Sequence, residues 1–366
     1  MAFNLADVLR ANAREFDQNA VIDGDVALSY ARLWQLADDV AAQLRAHGVE
    51  PGGMVGLQYP DGYGYIVLSM ALWQAGAVIV PVPLELSDRE RERLLTRMRL
   101  SACVQRAENA LGHELDPAIP FAVTPGPGTA ADAGLHGVNA AFVRFTSGTT
   151  GASRGVVLSH ERIQERLTAA NAFFQFTPAD TVLWCLPMAH HFVVTILLYL
   201  RRVVTLVLVR NIVSYMKLAE QHRPTILYAA PFHFEMAAGD TAGRRLDRVR
   251  LALSTTMSLA RGTFDKFHDR FGIALMQAYG IIEVGLPCIN RERTAERPLA
   301  AGTPLPDYRV RLVNQDDYAD YGAGCGEVEV TGPGMFDAYY EPWRWGNEVL
   351  RDGWFHSGDI GRLDDD

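Results

Sequence analysis

Apolar and polar residues alternate along this chain with two periods, and each change of period marks an element. Residues 1–10 read as an amphipathic helix with Asn4 as its cap. Residues 20–30 read as a hairpin turning at Asp23-Gly24, a dipeptide that tight turns favour. Leu33, Leu36, Val40, Ala41 and Leu44 then recur at helical spacing, predicting a helix over 31–47 that Gly48 and Pro51-Gly52 end. Residues 54–58 read as a strand, 63–75 as a helix and 76–81 as a second, fully buried strand. Strand, helix, strand at this spacing implies a parallel sheet with right-handed crossovers.

The same alternation continues downstream. A charged helix is predicted over 88–99, and residues 109–138, rich in Ala, Gly and Pro, read as a surface connection. Buried strands are predicted at 140–143, 181–187, 225–231 and 249–254. Helices are predicted from Ser159 or His160 to Phe173, from Phe232 to Ala238, and over 261–271 with Phe264, Phe267 and Phe271 on one side. Phe232 and Phe234 are candidates to line an apolar pocket. From Pro298 onward the pattern shifts to short period-two strands, 308–313 and 326–330, split by Gly and Pro turns. That suits a small antiparallel or barrel-like subdomain.

Composition narrows the class. The chain has 366 residues, 49% apolar and 21% charged, typical of a globular protein with a large core. Its net charge of −9 and lack of a long basic run argue against nucleic acid as a partner. Cys103, Cys185, Cys288 and Cys325 are far apart and form no C-x-x-C pair, which disfavours zinc and suits a reducing cytoplasm. The most apolar run, 192–209, is broken by Arg201 and Arg202, so a buried helix followed by a strand is expected rather than a membrane span.

The chemistry concentrates after the apolar run 140–143. Thr146-Ser-Gly-Thr-Thr-Gly151, then Ala152-Ser153-Arg154-Gly155, combines glycines, hydroxyls and one cation. Glycines let backbone N–H groups approach an anion, hydroxyls add donors, and the cation offsets charge. A flexible linker would not sit between two apolar runs with a cation at a fixed place. A Walker-type phosphate loop fails on spacing and on the missing lysine. The segment resembles the phosphate-binding signature of the adenylate-forming superfamily, which includes acyl- and aryl-CoA synthetases, luciferases and nonribosomal adenylation domains. Ser153-Arg154 stands where that family usually has Pro-Lys, and arginine keeps the charge with a planar fork.

Further motifs follow in the family's order, and the resemblance implies their roles. Thr146, Ser147, Gly148, Thr149, Thr150, Gly151 and Arg154 would hold phosphate. Leu186-Pro-Met-Ala-His190 is similar to the motif whose histidine lies beside the acyl pocket, while His191 is left open. Amino-acid activators tend to carry an aspartate just after an aromatic at this motif; this chain has none, which disfavours an amino acid. Thr255-Thr256-Met257 stands where relatives lay backbone along adenine, with bulkier residues here. Tyr279-Gly280-Ile281-Ile282-Glu283 resembles Tyr-Gly-x-Thr-Glu, implying that Tyr279 packs on adenine and Glu283 holds Mg²⁺. Ile282 replaces the threonine and removes a phosphate donor. Ser357-Gly358-Asp359 is similar to a late motif whose aspartate accepts both ribose hydroxyls.

The resemblance implies an α/β fold of two stacked, mostly parallel subdomains with a small β-barrel-like one, divided near 1–139, 140–297 and 298–366. Relatives continue into a hinge and a small C-terminal lid domain. Residues 1–366 would correspond to the large N-terminal adenylation domain, with the lid missing and activity impaired. The implied reaction joins a carboxylic acid substrate, aryl or fatty, to the α-phosphate of ATP. The acyl group then passes to CoA or to phosphopantetheine on an acyl carrier protein. The altered positions 153–154, 255–257 and 282 keep open a noncatalytic nucleotide- or acyl-binding member of the same fold.

Overall fold

The computed structural model describes residues 2–107, 119–128, 132–146, 154–291 and 296–364, with only the backbone of Thr146. Asn4 accepts a hydrogen bond from Ala6 N and caps the helix Leu5–Ala13. Asn19–Asp23 and Val26–Ser29 form the expected hairpin, with Gly24 at φ +61° supplying the left-handed turn. Helices at Tyr30–Ala46, Tyr63–Gln74, His160–Phe174 and Arg261–Phe271 match the helical spacing in the sequence.

Two large sheets dominate. In the 9-stranded sheet, Asn19–Asp23, Thr205–Leu208, Thr181–Trp184, Ile226–Ala229, Leu251–Ser254 and Met276–Ile281 run parallel in that spatial order. Val26–Ser29 closes one edge antiparallel, and Gly285–Ile289 and Thr303–Pro304 close the other. In the 8-stranded sheet, Ala102–Arg106, Met54–Gln58, Val78–Pro81 and Ala140–Thr146 are parallel. Phe121–Pro125, Arg154–Ser159, Ala338–Tyr340 and Arg344–Trp345 extend it antiparallel. A 3-stranded antiparallel sheet joins Arg309–Val313, Cys325–Thr331 and Phe355–Arg362.

Stacking explains the apolar runs. The helix Tyr63–Gln74 is buried from Gly64 to Trp73 and packs on strands of both large sheets, Asn19–Asp23 and Val78–Pro81. Along Thr181–Trp184, Val182 and Trp184 face the core shared by the sheets, while Leu183 joins the outer one. The sheets also interleave in sequence. Each of the stretches 1–139, 140–297 and 298–366 contributes strands to both large sheets, because hydrogen-bonded edges are completed by distant segments.

Two local outcomes differ from the pattern reading. Within 109–138, read as a surface connection, Phe121–Pro125 forms a strand with Phe121 buried and Ala133–Gly137 a short helix with Leu135 buried, because their apolar residues pack on the neighbouring strands. Phe234 is fully buried against Phe267, with ring centroids 5.1 Å apart, whereas Phe232 is 56% exposed. Positions two apart on a helix point to opposite sides, so they do not line one pocket. The run 192–209 forms the expected buried helix and strand, with a π-helical turn Phe192–Ile196 leading into the α-helix Leu197–Arg201 before the strand Thr205–Leu208. Among the described residues, no helix is long and apolar enough to cross a membrane.

Candidate functional site

The phosphate-loop segment joins neighbouring strands. Ala140–Thr146 and Arg154–Ser159 pair antiparallel with Thr146 opposite Arg154. Ser147, Gly148, Thr149, Thr150, Gly151 and Ser153 lie outside the described residues. At the near end, the Arg154 guanidinium carbon lies 5.2 Å from the centre of the Tyr339 ring. Tyr339 Oη in turn donates to Glu283 Oε1 at 3.0 Å. Arg154 and Glu283 are thus linked through one tyrosine that the motif reading did not single out.

Glu283 sits in the turn between the antiparallel strands Met276–Ile281 and Gly285–Ile289. Arg166, buried on the helix His160–Phe174, fastens that turn: Nη1 donates to Ile282 O at 2.7 Å and Nη2 to Glu283 O at 2.8 Å. Arg166 Nε also reaches Gly334 O. Gly285 has φ +107°, and an added Cβ would lie 3.2 Å from Arg166 Cδ, so glycine lets the turn and the arginine meet. Burial raises the Glu283 carboxyl pKa, while its own backbone N–H, Tyr339 and the charges of Arg166 and Arg144 pull the other way. Ile282, beside it, packs within the main core.

Tyr279 Oη donates to Asp359 Oδ2 at 2.6 Å, joining two candidate residues 80 positions apart. Asp359 is exposed on Phe355–Arg362, and its N–H donates to Ser357 Oγ at 3.0 Å. Gly280 approaches the returning strand so closely that a Cβ would lie 2.9 Å from Gly285 O. Thr255, Thr256 and Met257 follow the adjacent parallel strand Leu251–Ser254, with Thr255 N donating to Ala229 O at 3.1 Å. Thr256 has φ +75°, rare for a β-branched residue, and Met257 is 64% exposed. Strained backbone of this kind clusters at ligand sites.

His190 lies in a one-turn helix, Met188–His191, directly before the π-helical turn. Asp61 Oδ1 accepts from Met188 N at 2.8 Å and anchors that helix to the other sheet's connection. Arg144 Nη1 donates to His190 O at 2.8 Å, and its Nη2 lies 3.3 Å from His190 Nδ1. A guanidinium only donates, so Nδ1 is the acceptor and the imidazole proton is assigned to Nε2. Nε2 lies 3.7 Å from Glu85 Oε1. Burial first, and then Arg144, lowers the His190 pKa, favouring the neutral ring. His191 instead packs edge-on to Trp184 and Tyr228, and burial pushes its pKa down to about 3.

A cavity of about 310 Å³ opens beside this helix, lined in part by Asp61, Trp184, Cys185, Met188, Leu208 and Arg210. It lies at the carboxyl ends of Thr181–Trp184 and Thr205–Leu208, where parallel sheets commonly bind ligands. Motif reading missed Arg144, Arg166, Tyr339 and Glu85. A signal existed for two: Arg144 ends an otherwise apolar run, and Arg166 interrupts the buried face carrying Ile163, Leu167 and Ala170.

Residues 9–340 match the family described as AMP-binding enzyme. The chain belongs to that family. It is 29% identical to a feruloyl-CoA synthase of an Amycolatopsis species, over 95% of this chain and 73% of that protein. The fold is similar to that of apo MatB from Rhodopseudomonas palustris, with a TM-score of 0.83 and 22% identity, covering all of this chain and 77% of that one. It is similar too to the inhibitor-bound N-terminal domain of FACL13 from Mycobacterium tuberculosis, with a TM-score of 0.82 and 23% identity, covering all of this chain and 98% of that domain. The architecture is therefore that of an adenylate-forming N-terminal domain, and the relatives include acid–CoA ligases.

Proposed function

We propose that this chain uses ATP to activate a carboxylic acid, aryl or fatty rather than amino, as an acyl-adenylate. The acyl group then passes to the thiol of CoA or of phosphopantetheine on an acyl carrier protein. The observation that supports this reading is the Tyr279–Asp359 hydrogen bond, which joins, from separate sheets, the ring that would stack on adenine and the carboxylate that would accept ribose. Asp359 has its second oxygen to offer a ribose hydroxyl. The feruloyl-CoA synthase relative favours an aryl acid.

Glu283 fits a magnesium role by its donor set. One oxygen is occupied by Tyr339, leaving the other for a cation whose remaining ligands are phosphate oxygens and water. Mg²⁺ would there offset phosphate charge. Arg154 would neutralise the leaving pyrophosphate, and the neutral His190 ring would border the acyl group. Catalysis on this reading is positioning and charge neutralisation, with the substrate carboxylate attacking the α-phosphate and pyrophosphate leaving. A reducing cytoplasm suits four free thiols. The packing of Ile282 in the core favours a second reading, a weakly active or noncatalytic nucleotide- and acyl-binding protein.

The test is calorimetric titration with Mg-ATP, with Asp359→Ala as control, followed by acid-dependent pyrophosphate release across aryl and fatty acids. Saturable binding lost in the variant, with release for one acid class, is the expected result. Binding without release for any acid supports the second reading, and no nucleotide binding overturns both.

A further inference from the structure

Resting on the ligase reading, we propose that Arg144 is the residue that grips the carboxylate of the acid substrate. Its place in the fold is the first reason. It lies two residues before the phosphate-loop segment, on Ala140–Thr146, and its guanidinium reaches across to His190 on the cavity-lining helix. The charge of Glu283 also acts on it. It thus touches the proposed acyl-pocket histidine and feels the proposed metal ligand, so a reacting carboxylate bordered by both would be within its reach.

Its unsatisfied charge is the second reason. Among the described residues, the groups within hydrogen-bonding distance of the guanidinium are the His190 carbonyl and Nδ1, and neither carries negative charge. Among the described residues no carboxylate lies in ion-pair distance, so Glu283 compensates this partly buried cation only from farther away, and a bound carboxylate would complete the compensation. A fork geometry suits two carboxylate oxygens better than a point charge would. Tyr65 is the third reason. Its hydroxyl is fully buried, has no hydrogen-bond partner among the described residues, and lies within the electrostatic reach of Arg144 and Asp61. The phenol is therefore a donor with no acceptor for its proton among the described residues, close enough to Arg144 to feel its charge. The same chemistry would suit the α-phosphate oxygens, so the test separates acid from nucleotide.

Wild type, Arg144→Met and Arg144→Lys are titrated with cinnamate, benzoate and octanoate, with the primary amide of each, and separately with Mg-ATP. Near-ultraviolet circular dichroism checks the fold. The expected result is that wild type prefers at least one acid over its amide. Arg144→Met then weakens that acid roughly ten- to hundredfold, the range for a lost charge-assisted hydrogen bond. Its amide and Mg-ATP should be unaffected, and Arg144→Lys should fall between. If the methionine variant does not fold, the lysine variant decides by the same acid-against-amide comparison. Equal losses for acid and amide, a loss confined to Mg-ATP, or a wild type that binds Mg-ATP but prefers no acid over its amide each overturns the assignment. A wild type that binds no Mg-ATP overturns the ligase reading on which it rests.

Discussion

Glu283 and Asp359 are the two carboxylates proposed to serve a nucleotide, but their surroundings are opposite. Glu283 is buried, and its turn is held by an arginine on another helix, by Phe336 N donating to Glu283 O at 2.8 Å, and by the Tyr339 hydroxyl. Asp359 is exposed on the smallest sheet, and one phenol and its own local turn orient it. One end of the site is built into the core, so its geometry comes with folding. The other end sits on the surface, and a ligand has to complete it.

That contrast predicts that substitutions around Glu283 damage the fold and those around Asp359 damage binding alone. Arg166→Met should show the largest effect, because it removes the buried donor to Ile282 O and Glu283 O of the turn and to Gly334 O, leaving Glu283 O with Phe336 N alone. A loss of roughly 3 kcal/mol or more is expected in urea denaturation, and unchanged stability would refute the anchoring role. Asp359→Ala should weaken Mg-ATP roughly tenfold or more in calorimetry while leaving the unfolding midpoint unmoved, since an exposed side chain contributes little to the core. Ile282→Thr tests how far the core reaches into the motif. A hydroxyl placed in that apolar cluster should cost about 1 kcal/mol and bring no gain in ATP affinity; a tighter Kd would show that position 282 faces phosphate.

Two titrations sharpen the comparison further. The Tyr339 hydrogen bond lowers the raised pKa of Glu283, so Tyr339→Phe should let the carboxyl take its proton at a higher pH. If Glu283 holds the metal as proposed, Mg-ATP binding should then weaken about threefold at mildly acidic pH relative to wild type and match it at pH 8. Identical pH profiles would separate Glu283 from the metal. His160 provides a background for both: it is buried, accepts from Leu5 N at 3.3 Å, and burial lowers its pKa to about 4. Below the unfolded value of about 6.5 the unfolded chain binds the proton first, so stability falls with pH down to about 4 and is complete above 6.5. His160→Gln should flatten that slope by at most about 1.4 kcal/mol per pH unit.

Legibility in the sequence followed the range of the interactions. The helix over 31–47 carries its own period and the strands at 54–58 and 76–81 are short apolar runs bounded by turns, and the structure has them at Tyr30–Ala46, Met54–Gln58 and Val78–Pro81. The attachment of Val21 to Leu206 was not readable, because two apolar strands carry no mark of which partner they take. Tyr279, Glu283 and Asp359 could be selected because motif order singled them out. Arg144 and Arg166 stood out only as cations at the end of an apolar run and on a buried helix face, and their partners were not readable, since both donate to backbone carbonyls, which every residue offers alike.

The interleaving of the two large sheets also bears on how the protein is made. Arg154–Ser159 has its outer edge covered by Ala338–Tyr340, which leaves the ribosome nearly two hundred residues later. Until then a nascent chain carries an uncovered strand beside an already formed parallel sheet, the kind of edge that recruits wrong neighbours. Synthesis of this domain should therefore lean on chaperones that shield such edges, and slowing translation should not by itself help it to fold.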